Sequence, residues 1–298
     1  MNKKIAVLLA SYNGVKYIKD QVESILNQKE VEVNIFVSDD LSTDGTVEYL
    51  QDIYKNEKRL VYLESNQKFG GAAKNFYRLI KDVDFSNFDY VSLSDQDDIW
   101  YKDKLIRAIN TIEEKQIDAY SSNVLAFWED GREVLIDKSQ PQKKYDFLFS
   151  SSGPGCTYVI KKDFLTNFKK QMLKKQSLLE KIDLHDWLLY AFARSNNYKW
   201  FVDNTPSMLY RQHENNEFGA NNGFKTFKKR WKKARNGWYR GQILNTAIFC
   251  DYSNKITKSI ENNTYLDKLY LVKNILQLRK KSSESIVLLL ILIIPGFK

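Results

Sequence analysis

The chain has 298 residues, of which 43% are hydrophobic, and only 12 Gly and 4 Pro, so it can bury a substantial core and is not a low-complexity sequence. Its two cysteines, Cys156 and Cys250, are too far apart for a metal-ligand spacing, which favours free thiols in a reducing compartment. The formal net charge of +9 is local, because eight basic residues and no acid lie between Phe224 and Arg240.

Strand and helix patterns alternate over the first part of the chain. The apolar run at 5–10 is too short for a signal peptide and leads into a polar turn, so we interpret it as the first buried strand of a cytoplasmic protein. Strands are predicted at 5–10, 34–38, 60–63 and 90–94, and helices around 18–26, 47–54, 76–80 and 105–112. This alternation predicts a mostly parallel sheet with helices on both faces, whose ligands bind beyond the carboxyl ends of the strands.

The pattern changes near residue 118. Strands are predicted at 119–127, 157–160, 200–202 and 208–210, with helices around 164–173 and 187–193. From residue 221 onward the pattern is mainly helical. We therefore expect one α/β domain over residues 1–220 and a helical C-terminal region over 221–298.

An acidic motif, Ser-Asp-Gln-Asp-Asp-Ile-Trp at 94–100, follows the predicted strand at 90–94. Asp95, Asp97 and Asp98 fall within four positions, and such crowding costs free energy unless a cation lies between the carboxylates. Oxygen ligands on a short loop suit Mg²⁺ or Mn²⁺, and either ion suits a bound diphosphate. The motif therefore indicates chemistry on a nucleotide-sugar, although a solvated acidic loop that caps the next helix would explain it equally well.

Polar residues also follow the first two strands. Tyr12, in Ser-Tyr-Asn-Gly at 11–14, offers an aromatic face to a nucleobase, and the absence of Gly-x-Gly-x-x-Gly argues against a dinucleotide cofactor. Asp39 and Asp40 could accept a hydrogen bond from a pyrimidine or a ribose hydroxyl. The alternative is an ordinary strand-to-helix turn at 11–14, and capping of the next helix by the residues at 42–44.

The segment Asn-Gln-Lys-Phe-Gly-Gly-Ala-Ala-Lys-Asn at 66–75 opens a predicted helix. Its paired glycines let the backbone approach a ligand closely, and a helix N-terminus favours an anion. A flexible turn is the alternative.

Taken in order, the strings SYNG, DDLSTDGT, NQKFGGAAKN and SDQDDIW resemble the family 2 inverting glycosyltransferases of GT-A fold, and in particular the bacterial rhamnosyltransferase branch. The resemblance covers about residues 3–215. Tyr-Arg-Gln-His at 210–213 stands where the processive synthases carry Gln-x-x-Arg-Trp, which favours transfer of a single sugar over polymerisation.

The resemblance implies roles for individual residues. Asp186, in Leu-His-Asp-Trp at 184–187, matches the position of the catalytic base, although a first-turn helix acid is the alternative. His213 could be a metal ligand or touch the diphosphate, and a structural histidine is nearly as plausible. The implied donor-binding residues are Tyr12, Asn13, Asp39, Asp40, Asn66, Gly71, Asn75 and Asp95; the metal ligands are Asp95, Asp97 and His213; the acceptor-side residues are Gly155, Cys156, His185 and Trp187.

The C-terminal region carries two further signals. Phe224, Phe227, Trp231 and Trp238 fall on one helical face among the basic residues, which favours a helix on an anionic membrane surface. The alternative is packing of these aromatics onto the catalytic domain, and nucleic acid is not expected. The apolar run at 286–294 is too short to span a bilayer, but could enter one leaflet or form a homodimer interface.

These observations predict a peripheral glycosyltransferase at the cytoplasmic face of the cell membrane. By resemblance, it moves L-rhamnose from dTDP-L-rhamnose to a lipid-linked precursor of a cell-surface polysaccharide, with Mg²⁺ or Mn²⁺ as cofactor. One alternative is a sugar-1-phosphate nucleotidyltransferase, whose glycine-rich signature is absent. The other is a non-catalytic nucleotide-sugar-binding or membrane-scaffold protein, against which the set of Asp95, Asp97 and Asp186 argues.

Overall fold

The fold is α/β, and the computed structural model of the protein describes residues 2–64, 66–213 and 236–293. The strands are β1 (Lys3–Ser11), β2 (Val31–Asp39), β3 (Leu60–Leu63), β4 (Tyr90–Ser94), β5 (Ile99–Trp100), β6 (Ala119–Ser122), β7 (Val124–Phe127), β8 (Glu133–Ile136), β9 (Val159–Lys161), β10 (Trp200–Asp203) and β11 (Met208–Arg211). The helices are α1 (Ile18–Leu26), α2 (Thr46–Ile53), α3 (Ala72–Asp82), α4 (Lys104–Glu114), α5 (Lys162–Lys174), α6 (Gln176–Leu179), α7 (His185–Ser195), α8 (Trp238–Phe249), α9 (Lys255–Asn262), α10 (Tyr265–Lys273) and α11 (Ser282–Ile293).

A seven-stranded mixed sheet forms the centre, in the order β10-β6-β9-β4-β1-β2-β3. Strands β4, β1, β2 and β3 are mutually parallel, whereas β9 runs antiparallel to both of its neighbours. The first strand is central because Ile5 to Leu9 are all apolar and wholly buried, which is the pattern of a strand covered on both faces. The predicted mixed sheet with flanking helices is confirmed.

Helices cover both faces of this sheet. Helices α1 and α4 pack on one face through residues such as Val22 and Ile109. Helices α3, α5 and α7 pack on the other through residues such as Phe76, Phe168 and Leu188. The carboxyl ends of the parallel strands are left open between these layers.

The single strand predicted at 119–127 is wrong, because β6 and β7 belong to different sheets. The chain changes sheet at Asn123, whose side chain donates to Asp137 Oδ1 at 3.0 Å and to the Asn204 carbonyl at 2.9 Å. Its Oδ1 accepts from the Lys138 backbone at 2.7 Å. These distant partners fix the break, and the local apolar pattern does not reveal them.

The second sheet is small and has the order β5-β11-β7-β8. Its antiparallel pair of β5 and β11 joins the last two residues of the acidic motif to the strand that precedes His213. The second sheet therefore brings two distant parts of the predicted metal site together.

The C-terminal region is helical, as predicted, and its described helices share the core of the α/β part. Tyr239 on α8 packs on Trp187, with ring centroids 5.8 Å apart, and Phe249 packs on Phe168 at 5.5 Å. The predicted boundary at residue 221 and most of the basic segment lie outside the described residues. Within the part of the chain that the structure describes, no helix has both the length and the apolar content to cross a bilayer.

Candidate active site

A cleft of about 1970 Å³ opens where β1, β2 and β4 end. This volume exceeds the ~300–1,000 Å³ of a site for one small ligand, so two substrates can fit. Its wall includes Tyr12, Asn13, Asp40, Gly71, Asn75, Asp95, Asp97 and His213 on the predicted donor side, and Gly155, His185, Asp186 and Trp187 on the predicted acceptor side. Asp39, Asn66 and Cys156 are not part of this wall.

The acidic loop after β4 is fastened by strand β11. The Arg211 side chain donates from Nε to the Asp97 carbonyl at 2.8 Å, and its backbone N–H donates to Asp98 Oδ1 at 3.1 Å. Asp98 is wholly buried. Burial raises the pKa of Asp98 well above its usual range, and the nearby charges of Asp97 and Asp95 raise it further.

Asp97 and His213 form a close pair at the inner edge of the cleft. His213 Nε2 lies 2.7 Å from Asp97 Oδ2, and the imidazole stacks on Tyr17 with ring centroids 5.1 Å apart. This contact places two of the three predicted metal ligands side by side. A carboxylate and an imidazole nitrogen are both ligands that Mn²⁺ accepts.

A different set of three side chains, Asp95, Asp98 and Cys156, has its ligand atoms within 4.8 Å of one another. Asp98 and Cys156 are wholly buried, and a thiol is a soft ligand that a hard cation disfavours. A Mg²⁺ or Mn²⁺ ion therefore fits better beside Asp95, Asp97 and His213, which all line the cleft. Cys156 lies beneath the acidic loop, not on the acceptor side of the cleft.

Asp39 and Asn13 connect the loops that follow β1 and β2. Asp39 accepts from Ser11 Oγ at 2.7 Å and from both the backbone and the hydroxyl of Ser42. Asn13 has a positive φ of 49° and accepts from the Thr43 backbone at 2.9 Å. These bonds give the loops a fixed relative position, and Asn13 remains at the surface of the cleft.

Asp40 holds the glycine pair. Its buried carboxylate accepts from the backbone N–H of Phe69, from Gly70 at 2.9 Å and from Gly71 at 3.1 Å. Both glycines have positive φ, at 84° and 141°, which explains why the turn requires residues without a Cβ. Beside this turn, Tyr12 is 43% exposed and Lys68 Nζ lies 4.7 Å from its ring centroid.

Asn75 and Asn66 differ in their surroundings. The Asn75 amide is buried, accepts from Ser38 Oγ, and donates to the carbonyls of Ser38 at 2.8 Å and Ser11 at 3.3 Å. It therefore ties the ends of β1 and β2 together at the base of the cleft. Asn66 is exposed and lies outside the cleft wall.

Asp186 lies in the first turn of α7, on the opposite side of the cleft. Its Oδ1 accepts from the Trp187 backbone at 2.7 Å. Burial raises the pKa of Asp186 to about 6. The carboxyl group is thus mostly ionised at neutral pH. Because its pKa is raised, the carboxylate is also a stronger base than that of an exposed aspartate, which suits a general base.

His185 and Gly155 form the floor beneath Asp186. The His185 ring stacks on Phe76 with ring centroids 4.1 Å apart, and burial lowers the pKa of His185 to about 3, so the ring is neutral. A Cβ at Gly155 would lie 2.7 Å from His185 Nε2 and 3.3 Å from the Asp186 Cβ. Trp187 is anchored by a 2.7 Å bond from Nε1 to the Phe147 carbonyl. The absence of a side chain at Gly155 therefore leaves room for His185 and Asp186.

A model of glycosyl transferase family 2 matches residues 6–171. The chain belongs to this family. It is 46% identical to the dTDP-rhamnosyl transferase RfbG of Shigella flexneri over 97% of this chain and 100% of the relative. It is also 27% identical to the putative teichuronic acid biosynthesis glycosyltransferase TuaG of Bacillus subtilis, over 79% of this chain and 86% of that one.

Solved glycosyltransferases share the fold of this family member. S. aureus TarS in complex with UDP-GlcNAc superposes with a TM-score of 0.58 at 18% identity, over 86% of this chain and 70% of that one. The mannosyltransferase PcManGT of Pyrobaculum calidifontis, in complex with GDP-Man and Mn²⁺, superposes with a TM-score of 0.52 at 14% identity, over 97% of this chain and 79% of that one. The predicted GT-A fold is confirmed, and the protein is a glycosyltransferase.

Three contacts at the site were not predicted from the sequence. Gln96 donates to the Tyr12 carbonyl at 2.9 Å and accepts from its backbone at 2.8 Å, which joins the acidic loop to the loop after β1. Lys68 lies over the Tyr12 ring, and Arg211 fastens the acidic loop. Only the contact of Gln96 had a signal in the sequence: an amide side chain between two acids can form hydrogen bonds with the backbone of a neighbouring loop.

Gly155→Ala tests the close packing beneath Asp186. We expect the added methyl group to displace His185 and Asp186, and to lower the transfer rate at least about tenfold, since a shift of about 1 Å in a catalytic group can cost more than that. Nucleotide binding should be unchanged. Gly241→Ala is the matched control, because nothing lies within 4 Å of its Cβ position and alanine suits a helix. Equal transfer rates for both variants, measured by nucleotide release, would contradict this account of the site.

Proposed function

We propose that this glycosyltransferase moves L-rhamnose from dTDP-L-rhamnose to a hydroxyl group of a lipid-linked precursor of a cell-surface polysaccharide, with inversion at the anomeric carbon. The observation that carries the reaction type is the placement of the Asp97–His213 pair and of Asp186 on the wall of one cleft. The choice of donor rests on the 46% identity, over nearly the whole chain, to a relative described as a dTDP-rhamnosyl transferase.

On the donor side, Tyr12 offers its exposed ring to the nucleobase, and the backbone at Gly71 can approach the sugar-diphosphate closely. Asp95, Asp97 and His213 would hold Mg²⁺ or Mn²⁺, and such a cation, when bound, neutralises the charge that develops on the leaving diphosphate. Asp40 acts on the donor through the turn whose backbone it holds. Arg211 keeps the acidic loop at a fixed distance from His213 through its bond to the Asp97 carbonyl.

On the acceptor side, Asp186 takes the proton from the acceptor hydroxyl as its oxygen attacks the anomeric carbon. The bond from the Trp187 backbone fixes one carboxylate oxygen at 2.7 Å, and the Ser151 side chain also hydrogen-bonds to this carboxylate, so its orientation toward the cleft is held from the protein. Neutral His185 does not compete for the proton, because burial lowers its pKa to about 3. A single displacement from the face opposite the diphosphate inverts the configuration.

The proposed acceptor requires the enzyme to work at a membrane surface. Helices α10 and α11 carry large apolar side chains that face solvent, among them Leu266 and Leu269 on the first, and Ile286 and Leu290 on the second. Such a surface is typical of an interaction site. The basic aromatic segment between Phe224 and Arg240 would add attraction to anionic lipid, although only its end is described: there Trp238 donates to Asp183 Oδ2 at 2.6 Å and thus contacts protein.

A panel of nucleotide-sugars tests the proposed donor. With Mn²⁺ present, dTDP-L-rhamnose should release nucleoside diphosphate faster than UDP-GlcNAc, UDP-glucose or GDP-mannose by at least about a hundredfold, because a mismatched sugar loses hydrogen bonds in the site. Asp97→Ala should abolish metal-dependent donor binding and turnover, whereas exposed Asp163→Ala is the control and should keep both. Preference for another donor, or metal-independent turnover by wild type, would refute the respective part of the proposal.

The role of Asp186 predicts a characteristic pH profile. Asp186→Asn should reduce transfer by about 10² or more, the scale for loss of a general base, with donor binding retained. Because burial raises its pKa to about 6, the base is protonated below that pH. For wild type, kcat/KM should therefore fall about tenfold per pH unit below 6 and level off above it. Asp163→Asn should keep the wild-type profile; the same profile in Asp186→Asn would place the base elsewhere.

A further inference from the structure

Four basic residues line the cleft on the side of Asp186. We call Lys138, Arg279, Lys280 and Lys281 the cationic cluster. Glu284 joins two of its members, with Lys138 at 3.9 Å and Arg279 at 3.7 Å. The cluster is close to the proposed base, since the positive charge of Lys138 acts to lower the pKa of Asp186 against the larger effect of burial.

The charge in this region is not balanced by nearby acids. Asp137 has a pKa lowered to about 2, and it already accepts bonds from Asn123, Ser139 and Gln140. Glu284 and Asp186 are further acids on this side of the cleft. The four cations thus outnumber the carboxylates of Asp137, Glu284 and Asp186, and the N-terminus of the twelve-residue helix α11, directly after Lys281, adds further positive potential.

Lys280 is the least expected member. Its side chain is 91% buried in the wall of the cleft, and its Nζ makes no hydrogen bond within the described part of the chain. Asp146, whose charge acts on it, is already bonded to Arg194 and Tyr190. Its Nζ lies 5.1 Å from the centroid of the Tyr190 ring, which does not replace a hydrogen-bond acceptor, and burial lowers the pKa of Lys280 to about 8. An anion in the cleft would supply the hydrogen-bond acceptor that Lys280 Nζ lacks among the described residues.

Apolar side chains lie beside the cationic cluster. Val134, Leu135 and Val287 line the same cleft, although they are 46%, 52% and 41% exposed. Exposed aliphatic side chains next to unbalanced cations suit a ligand that joins an acidic group to a hydrocarbon chain. A neutral sugar alone would use neither feature.

We infer that the cationic cluster is a subsite for an anionic group of the acceptor, a phosphate or a carboxylate, held next to the hydroxyl that Asp186 activates. This inference rests on the proposed function, since it assigns a chemical feature to the acceptor of that reaction. The same chemistry could come from a phosphate in the lipid linkage or from an acidic sugar of the glycan.

Direct binding separates these sources. Farnesyl diphosphate, farnesol, octyl glucuronide and octyl glucoside are titrated calorimetrically into the full chain with EDTA, so that no divalent cation contributes. We expect one anionic probe to bind more tightly than its neutral partner. Lys138→Gln/Lys281→Gln should weaken that binding at least about tenfold, as expected for loss of charged contacts, and Lys280→Met should do the same. The control Lys258→Gln/Lys273→Gln removes two exposed charges outside the cleft and should stay within about twofold.

The double variant changes only partly exposed residues, so it keeps the test decisive even if Lys280→Met fails to fold, which thermal melting would show. Stronger binding of farnesyl diphosphate assigns the subsite to the lipid linkage, and stronger binding of octyl glucuronide assigns it to an acidic sugar. Anion binding that the cluster variants leave unchanged, or no anion preference at all, overturns the inference. Cluster-dependent binding in a protein that does not turn over dTDP-L-rhamnose would refute the proposed donor and leave the anion site standing.

Discussion

Mutual repulsion among three carboxylates at the end of β4 is the constraint on which the site depends. Asp98 is wholly buried, so it needs partners supplied by distant parts of the chain. Arg211 supplies a backbone N–H and fastens the loop. Beneath it lies Lys104, also buried, with Nζ 3.1 Å from the Trp100 ring centroid. Burial lowers the pKa of Lys104 to about 7, and the charge of Asp98 favours its protonated form. Strand β11 of the second sheet carries Arg211 and pairs with β5, so this sheet supplies the partner that buried Asp98 needs.

The same cleft separates two kinds of electrostatic environment. On the donor side, carboxylates and His213 face the opening and favour a cation. On the acceptor side, α7 places Asp186 in a wall that also carries Lys138 and the three basic residues that precede α11. The C-terminal helices share the core with α5 and α7, as the contacts of Tyr239 and Phe249 show. A donor diphosphate and an acceptor anion thus have distinct positions, with the reacting hydroxyl between them.

The sequence predicts what depends on local pattern. Strands at 60–63 and 90–94 and the helices around them follow from apolar runs and helical spacing, and the ordered motifs indicate the family. Other features depend on contacts between distant residues. The break at Asn123 needs Asp137 and Asn204, and the burial of Cys156 under the acidic loop follows from sheet order. Lys280 reaches the cleft from a helix junction more than ninety residues after Asp186, without any motif to indicate it.

In the proposed reaction, the transfer is one displacement, with the leaving diphosphate on one face of the sugar and the hydroxyl activated by Asp186 on the other. The anomeric configuration of the product measures this directly. A product linkage formed from dTDP-L-rhamnose, analysed by the one-bond carbon–proton coupling at the anomeric centre, should have the configuration opposite to that of the donor. Retention of the donor's configuration would require a second nucleophile or a front-face path, and would contradict the role given to Asp186.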